Sequence, residues 1–258
     1  YRYRALHSES KVNFKSQVVY HLIDHSDLNR STNLVLEDDR VVIGRIGRSD
    51  ENKWSDLFLE GFDKLAQTHD VVLLILNPPD SVRKGIEKRG LQNSVEIVED
   101  IELGEISSFY DSIDILAHSS HIGESFGYVI AEAMASTKPV VVESTPIKDN
   151  AQIELVDNDE NGYVVAGKDS FSEALQELVE HEELRREMGR KAREKSQKEF
   201  EVDKIAKEFE ELYRNLDLDN ANSDFDFTEF REESRRRLPE LYGKEDRYHR
   251  FERYAWYI

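Results

Sequence analysis

The sequence predicts an α/β fold, a doubly wound parallel sheet followed by helices, and two observations carry that prediction. Between Arg40 and about Leu216, short aliphatic runs recur that are nearly unbroken, as strands buried on both faces must be. The segments between those runs have helical spacing instead. Leu57, Phe58, Gly61, Phe62 and Leu65 fall on one face, as do Ile106, Phe109 and Tyr110. Strands that alternate with helices imply parallel pairing, because the helix supplies the crossover.

Taken in order, residues 1–38 are polar and irregular apart from one apolar stretch, Val18 to Ile23. Six strands follow: Val41–Ile46, Val71–Leu76, Val95–Val98, Ile113–Ala117, Pro139–Val142 and Tyr163–Val165. After the sixth, Ala174, Leu175, Leu178 and Val179 continue a helix. Two more helices are expected around Leu184 to Phe200 and Val202 to Leu216, with Glu, Lys and Arg pairs on their wet sides. Asp217 to Asp226 reads as a polar linker. Beyond it, residues such as Phe227, Phe230, Tyr242, Tyr248, Phe251 and Trp256 stand among many charges, a composition that suits docking on another surface. The expected divisions are therefore 1–38, 39–216 and 217–258. The chain opens on Tyr1 rather than methionine, which suggests a piece of a longer protein or a processed product.

Composition narrows the function. With 54 acidic against 35 basic residues the formal net charge is -19, a field that repels phosphate backbones and argues against general nucleic-acid binding. The acidic excess suits either a cytoplasm kept at high salt, as in a halophile, or simply an acidic surface. There are no cysteines, so disulfides and thiolate metal sites are excluded. The longest aliphatic run, Val71 to Leu76, is far short of the roughly 20 residues that span a bilayer. No signal peptide is recognised at the start, and a cytoplasmic location is expected, including the inner face of the membrane.

The chemistry concentrates after the fourth strand. Glu124-Ser125-Phe126-Gly127 ends a loop, and Tyr128 to Ala135 reads as the helix it enters. A helix N-terminus offers unpaired N–H groups and a partial positive charge, which suit a diphosphate. Ser125 and Gly127 are small enough to let a ligand approach the backbone. Glu132 lies two turns along, among Ile130, Ala131, Ala133 and Met134, where a carboxylate needs a partner such as a pair of sugar hydroxyls. The blander reading is also open: Glu124 favours the helix start, and Glu132 lies on a wet face.

Glu124-Ser-Phe-Gly-x4-Glu132-Ala-Met-Ala, followed by Lys138-Pro139-Val140-Val141, resembles the Glu-x7-Glu signature of retaining glycosyltransferases of the GT-B fold. Ile43-Gly44-Arg45-Ile46 is similar to the first strand of that family's donor domain, Phe109 to Ile115 to its "lY..aDi" segment, and Asn161 to Val165 to its "nGylv" strand. The likeness covers roughly residues 40 to 215 in the family's order. It implies a Rossmann-like half of a GT-B enzyme, a hexosyltransferase that takes its sugar from a nucleotide diphosphate without a metal or other cofactor.

The resemblance also assigns roles. Glu124 would bind hydroxyls of the transferred sugar and Glu132 those of the ribose, while the backbone at Phe126 and Gly127, beside Ser125, meets the sugar and diphosphate. Arg45, in the strand with Gly44, and Lys53 would neutralise the diphosphate; Arg48 is the rival to Lys53, because the stretch from Ile46 to Asn52 is longer than usual. The loop around Ile97, Val98 and Glu99 stands where the base is held. Thr145 to Gln152 either lines the donor pocket or is an ordinary loop and cap.

A complete enzyme of this kind has a second domain for the acceptor. Val18 to Asp24 resembles the family's "viyNgiD" linker, which implies that residues 1–38 are the end of that domain plus the hinge. The partners expected are a nucleotide sugar, an unidentified acceptor, and an acceptor-binding domain or partner chain. The alternative is a non-catalytic nucleotide-sugar-binding or scaffold subunit that needs a partner domain. His118 and His121 have the spacing of a metal-binding pair but no evident third ligand, so no metal is expected. Gly44-x2-Gly47 is not the dinucleotide fingerprint, and no P-loop spacing precedes Lys53.

Overall fold

In a computed structural model of the chain, residues 19–26, 28, 36, 38–99, 101 and 106–215 are described. The aromatic tail expected over 217–258 and most of the segment before Asp38 lie outside the described residues.

All six predicted strands form. They are β1 (Val41–Ile46), β2 (Val71–Leu76), β3 (Val95–Val98), β4 (Ile115–His118), β6 (Val140–Glu143) and β8 (Gly162–Val165), and a pair of two-residue strands, β5 (Gly123–Glu124) and β7 (Asp149–Asn150), stands apart. The helices are α1 (Leu57–Ala66), α2 (Asp80–Arg89), α3 (Ile106–Asp111), α4 (Tyr128–Ala135), α5 (Gln152–Leu155), α6 (Lys168–Glu180), α7 (Glu182–Phe200) and α8 (Val202–Asn215). β4 starts at Ile115, after the apolar run has begun at Ile113. Asp114 is already occupied there: its N–H donates to Val42 O and its carboxylate accepts the Val42 N–H at 2.8 Å.

The main sheet is parallel throughout, in the order β3-β2-β1-β4-β6-β8. Successive strand residues feed two separate cores, one on each face, which is why the runs had to be apolar at every position. Val72, Leu74 and Leu76 of β2 join Leu116, Val140, Met134 and Phe200 on one side. Val71, Leu73 and Ile75 join Phe58, Phe62, Ile115, Val141, Phe171 and Leu175 on the other. The fold is thus Rossmann-like, with α4 and α7 against the first face and α1 and α6 against the second.

Val19–Phe209 form one compact unit, and Glu210–Asn215 are the described part of a second. Within the first unit the described residues 19–26 are anchored to α7. Ile23 N–H donates to Phe200 O at 2.7 Å, and His25 Nε2 lies 3.1 Å from Ser196 Oγ. Among the described residues no helix is long and apolar enough to cross a membrane.

The strand order reverses between β1 and β4. β2 and β3 are laid on one side of β1, then the chain crosses to place β4 on the other. At such a point the loops leaving two neighbouring strands part in opposite directions and open a crevice at their carboxyl ends, where ligands of open α/β sheets bind. Here those loops begin at Gly47 and Ser119.

Candidate functional site

The crevice between β1 and β4 brings Glu124 and Lys53 together. Leaving β1, the chain makes a single 3-10 turn, Glu51–Lys53, started by Asp50, whose side chain accepts the Asn52 N–H. Leaving β4, it reaches Glu124 through Gly123, whose φ of +74° belongs to the left-handed region that glycine tolerates best. Glu124 is held in place by pairing with β7: Gly123 faces Asp149 and Glu124 faces Asn150, and Ala151 N–H donates to Glu124 O at 2.9 Å. The loop from Thr145 to Gln152 is therefore the neighbour that fixes the Glu124 backbone. It is itself tied by Thr145, whose N–H donates to Asn150 Oδ1, and by Gln152, whose amide donates to Glu143 O and Thr145 Oγ1.

Lys53 Nζ donates to Glu124 Oε2 at 3.0 Å, and His118 Nε2 lies 3.2 Å from Oε1. Burial by itself would push the Glu124 carboxyl up, yet His118 and Lys53 outweigh it and hold the pKa at about 2. His118, buried beside Arg45, is drawn down to about 4 and is neutral at pH 7, so the charge that pairs with Glu124 there is that of Lys53. Nε2 of His118 meets Glu124 at ion-pair distance, whereas its Nδ1 has no hydrogen-bond partner among the described residues.

Arg45 is wholly buried. Its guanidinium lies 4.2 Å from the Trp54 ring centroid and donates to backbone carbonyls: Ile46 O, Lys53 O at 2.7 Å and Ser119 O at 3.1 Å. Burial lowers its pKa to about 10, against the pull of Glu124 and Tyr110, so it remains a cation at neutral pH. Arg45 thereby clamps the loop carrying Lys53 to the loop leading to Glu124. Arg48 differs in every respect that matters here: its side chain is exposed, and its backbone carbonyl accepts the Trp54 indole N–H at 2.7 Å. Gly44 sits in the interior of β1, where a Cβ would come within 2.5 Å of the Ile113 side chain.

The loop ends at Gly127, φ +96°, whose carbonyl accepts the first intrahelical bonds of α4 from Ile130 and Ala131. Ser125 is exposed there. Phe126 is buried, edge-on to Phe200 at 5.5 Å and 5.2 Å from the rings of Tyr128 and His21. Further along α4, half-buried Glu132 accepts a bond from the Tyr110 hydroxyl at 2.6 Å. Burial raises its pKa and that bond opposes the rise. Val98 ends β3 two strands from the crevice, in register with Leu76, and its carbonyl accepts the Asn77 N–H; Glu99 beside it is exposed and pairs with Arg83.

Sequence reasoning did not identify Tyr110, His118 in this role, or the β5–β7 pair. Tyr110 reads from the sequence as part of an apolar helix face and of the "lY..aDi" resemblance, although a buried tyrosine hydroxyl needs a partner, which is the available signal. His118 was weighed only as half of a metal pair with His121, but His118 is buried and His121 exposed. Among the described residues no group of three or more His, Asp or Glu is placed to hold a metal ion.

Known proteins supply an independent line. Residues 29–195 match the model of the family described as glycosyl transferases group 1. The chain is 24% identical over 223 residues to a trehalose synthase of Pyrococcus horikoshii, covering 81% of this chain and 50% of that one. Its fold matches Anabaena HepE solved with UDP-glucose, at a TM-score of 0.63 and 20% identity over 78% of this chain and 57% of that one. It also matches the C-terminal domain of a glycosyl transferase group 1 family protein from Francisella tularensis, at a TM-score of 0.56 and 20% identity, covering 74% of this chain and 100% of that one. The chain spans about half the length of the curated relatives it matches.

Proposed function

Since the chain belongs to the glycosyl transferases group 1 family, we propose that it is the donor-binding half of a hexosyltransferase that uses a nucleotide diphosphate sugar and retains the anomeric configuration. The observation that carries this reading is the Lys53–Glu124 pair at the β1/β4 switch point, on the loop that runs into the N-terminus of α4. A fixed cation and a helix start suit a diphosphate, and an ionised carboxylate between them accepts sugar hydroxyls.

In the reaction, the acceptor hydroxyl bonds to the anomeric carbon on the face that the diphosphate leaves, and its proton passes to the departing diphosphate oxygen. The bond from that carbon to the diphosphate oxygen breaks, and the nucleoside diphosphate leaves with the electron pair. The charge that grows on the leaving diphosphate is stabilised by Lys53, by exposed Arg48 and by the first N–H groups of α4. Arg45, buried with Nη1 and Nη2 on carbonyls and Nε without a hydrogen-bond partner among the described residues, acts through its field and by clamping the two loops. Glu124 orients the transferred sugar. Glu132 holds the ribose. Ser125, with the backbone at Phe126 and Gly127, borders the diphosphate, and the Val98 end of β3 borders the base. The acceptor domain expected beside this half belongs to the rest of a longer chain or to a partner.

Calorimetric titration of the chain with UDP, GDP, ADP and their sugars, at low and high potassium chloride, tests the reading. Saturable binding of one nucleotide, weakened 10- to 100-fold by Glu132→Ala, is the expected result, because a charged hydrogen bond contributes about 1.5–3 kcal/mol. No binding under any of these conditions overturns it and leaves a scaffold role in its place.

A further inference from the structure

Glu132 does not stand alone in its helix. It lies in α4 between buried Ala131 and Ala133, in a position where an unpartnered carboxylate would be costly. Across from it, α3 ends with Phe109, Tyr110 and Asp111, and the Tyr110 ring is fully buried and edge-on to Phe109 at 5.6 Å. Its hydroxyl lies 2.6 Å from Glu132 Oε2 and 3.3 Å from Val129 O. One phenolic proton serves one strong bond, and the shorter contact to the charged acceptor takes it.

We propose that Tyr110 is the positioning residue for Glu132, anchoring Oε2 so that the carboxylate faces a nucleotide ribose in one fixed orientation. This rests on the reading of Glu132 as the ribose contact. An ionised carboxylate has about four lone-pair sites, so the phenol occupies one and leaves enough for both hydroxyls of a diol. Among the described residues Oε1 has no protein partner, so it is available to a ligand.

The phenol also favours the charged form of the carboxylate. Burial pushes the Glu132 carboxyl up and the Tyr110 bond pulls it down, and no other group contributes. The charged groups on the elements packed against α4 are engaged elsewhere. Arg193 of α7 donates to Ala135 O and Lys195 to Glu154 O and Asp157, Glu154 of α5 accepts from Tyr20, and His118 at the end of β4 lies against Glu124. Glu143 at the end of β6 is itself raised by burial. Tyr110 remains a neutral donor throughout, because burial and Glu132 hold its own pKa well above the ordinary value.

Tyr110→Phe removes one oxygen and keeps the ring. In titrations of the full chain with the nucleotide that the wild type binds, the expected result is an affinity lower by about tenfold at pH 7.5. The pH at which binding is lost on acidification should also move upward, since Glu132 loses the bond that kept its pKa down. Equal affinity with an unmoved pH midpoint would overturn the proposal, because a phenol that only fills space leaves both unchanged. Should Tyr110→Phe fail to fold, 3-fluorotyrosine at position 110 keeps the hydroxyl and makes it a stronger donor. The midpoint should then fall, and an unchanged midpoint overturns the proposal equally. Glu132→Gln separates the two levels. If it binds nucleotide as well as the wild type, the ribose reading is lost and the proposal with it; if it binds weakly while Tyr110→Phe does not, the positioning role alone is lost.

Discussion

Lys53 Nζ and Glu124 Oε2 lie 3.0 Å apart although 71 residues separate them in the chain. Each stands at the end of a loop that leaves one of the two strands flanking the switch point, and both side chains are largely shielded from water. In the absence of a ligand each neutralises the other. A donor diphosphate would draw on the same ammonium, so the carboxylate would be released toward the sugar at the moment its cation turned to the phosphate.

Lys53→Met should therefore act on both stability and binding. The Glu124 pKa, about 2 in the fold, lies below its ordinary value of 4.5. A lowered carboxylate stabilises fully above the ordinary value, and that stability is lost as pH falls through the folded one. Without Lys53 the folded pKa rises, so the acid loss that starts near pH 4.5 should be smaller and end at higher pH, and the gap between the two proteins should be widest at neutral pH and narrow on acidification. Leaving a shielded charge unpaired should also cost about 2–4 kcal/mol at pH 7. Urea midpoints measured from pH 3 to 7 for both proteins check this, and coincident curves would show that the pair contributes nothing.

The two arginines should separate cleanly. Arg45→Met leaves the carbonyls of Ile46, Lys53 and Ser119 without their buried donor and removes the cation from the face of Trp54. A loss of about 3 kcal/mol or more is expected. Arg48→Ala touches only an exposed side chain, so its thermal midpoint should stay near that of the wild type while nucleotide diphosphate affinity falls about tenfold. Scanning calorimetry and titration on both variants decide the assignment. If Arg48→Ala binds normally, Arg48 is not the contact.

Much of this was legible in the sequence for a physical reason. A strand buried on two faces must be apolar at each position, and β2, Val-Val-Leu-Leu-Ile-Leu, could hardly be read otherwise. The places of Glu124 in a loop and of Glu132 in the helix it enters were legible because that loop and helix are continuous in the chain. The β5–β7 pair was not legible, since two residues of strand leave no periodicity to read. Nor were the partners of the glutamates. Tyr110 and His118 reach them through tertiary packing, and nothing in the local pattern distinguishes a tyrosine that bonds a carboxylate from one that only fills the core. The burial of Arg45 had the same origin: its neighbours in the chain leave its direction open, and Trp54 and Ser119 determine it.

Gly123 offers a test of how Glu124 is placed. At φ +74° a Cβ on this residue would stand 1.7 Å from Asp149 O and 2.7 Å from Thr145 Oγ1, so Gly123→Ala must push β5 and β7 apart. Strain of that kind should cost about 2–4 kcal/mol. Because the displaced residue adjoins Glu124, sugar binding should fall more steeply than nucleotide binding. Gly189→Ala is the control: its Cβ would come within 2.2 Å of Thr137 O, where α7 crosses the α4–β6 turn. It should lower stability without changing the ratio of nucleotide sugar to nucleotide affinity. Equal ratios in both variants would show that the β5–β7 pair does not position Glu124.

His118 gives the last prediction its sign. Buried and close to Arg45, it is held at about 4 in the fold against an ordinary 6.5. Between those values the unfolded chain takes up a proton that the folded chain refuses, so stability is whole above pH 6.5 and declines as pH falls toward 4. The shift corresponds to on the order of 3 kcal/mol across that window. His25, buried against Ser196 and also lowered, contributes in the same direction, so the wild-type slope is not due to His118 alone. His118→Gln should flatten the decline between pH 6.5 and 4 while leaving the His25 part in place. Unfolding free energies of the two proteins at half-unit steps of pH will show it. A slope that His118→Gln leaves unchanged would mean that the pKa of His118 does not differ between the folded and unfolded chain, and Glu124 would then gain a second charged partner below about pH 6.5.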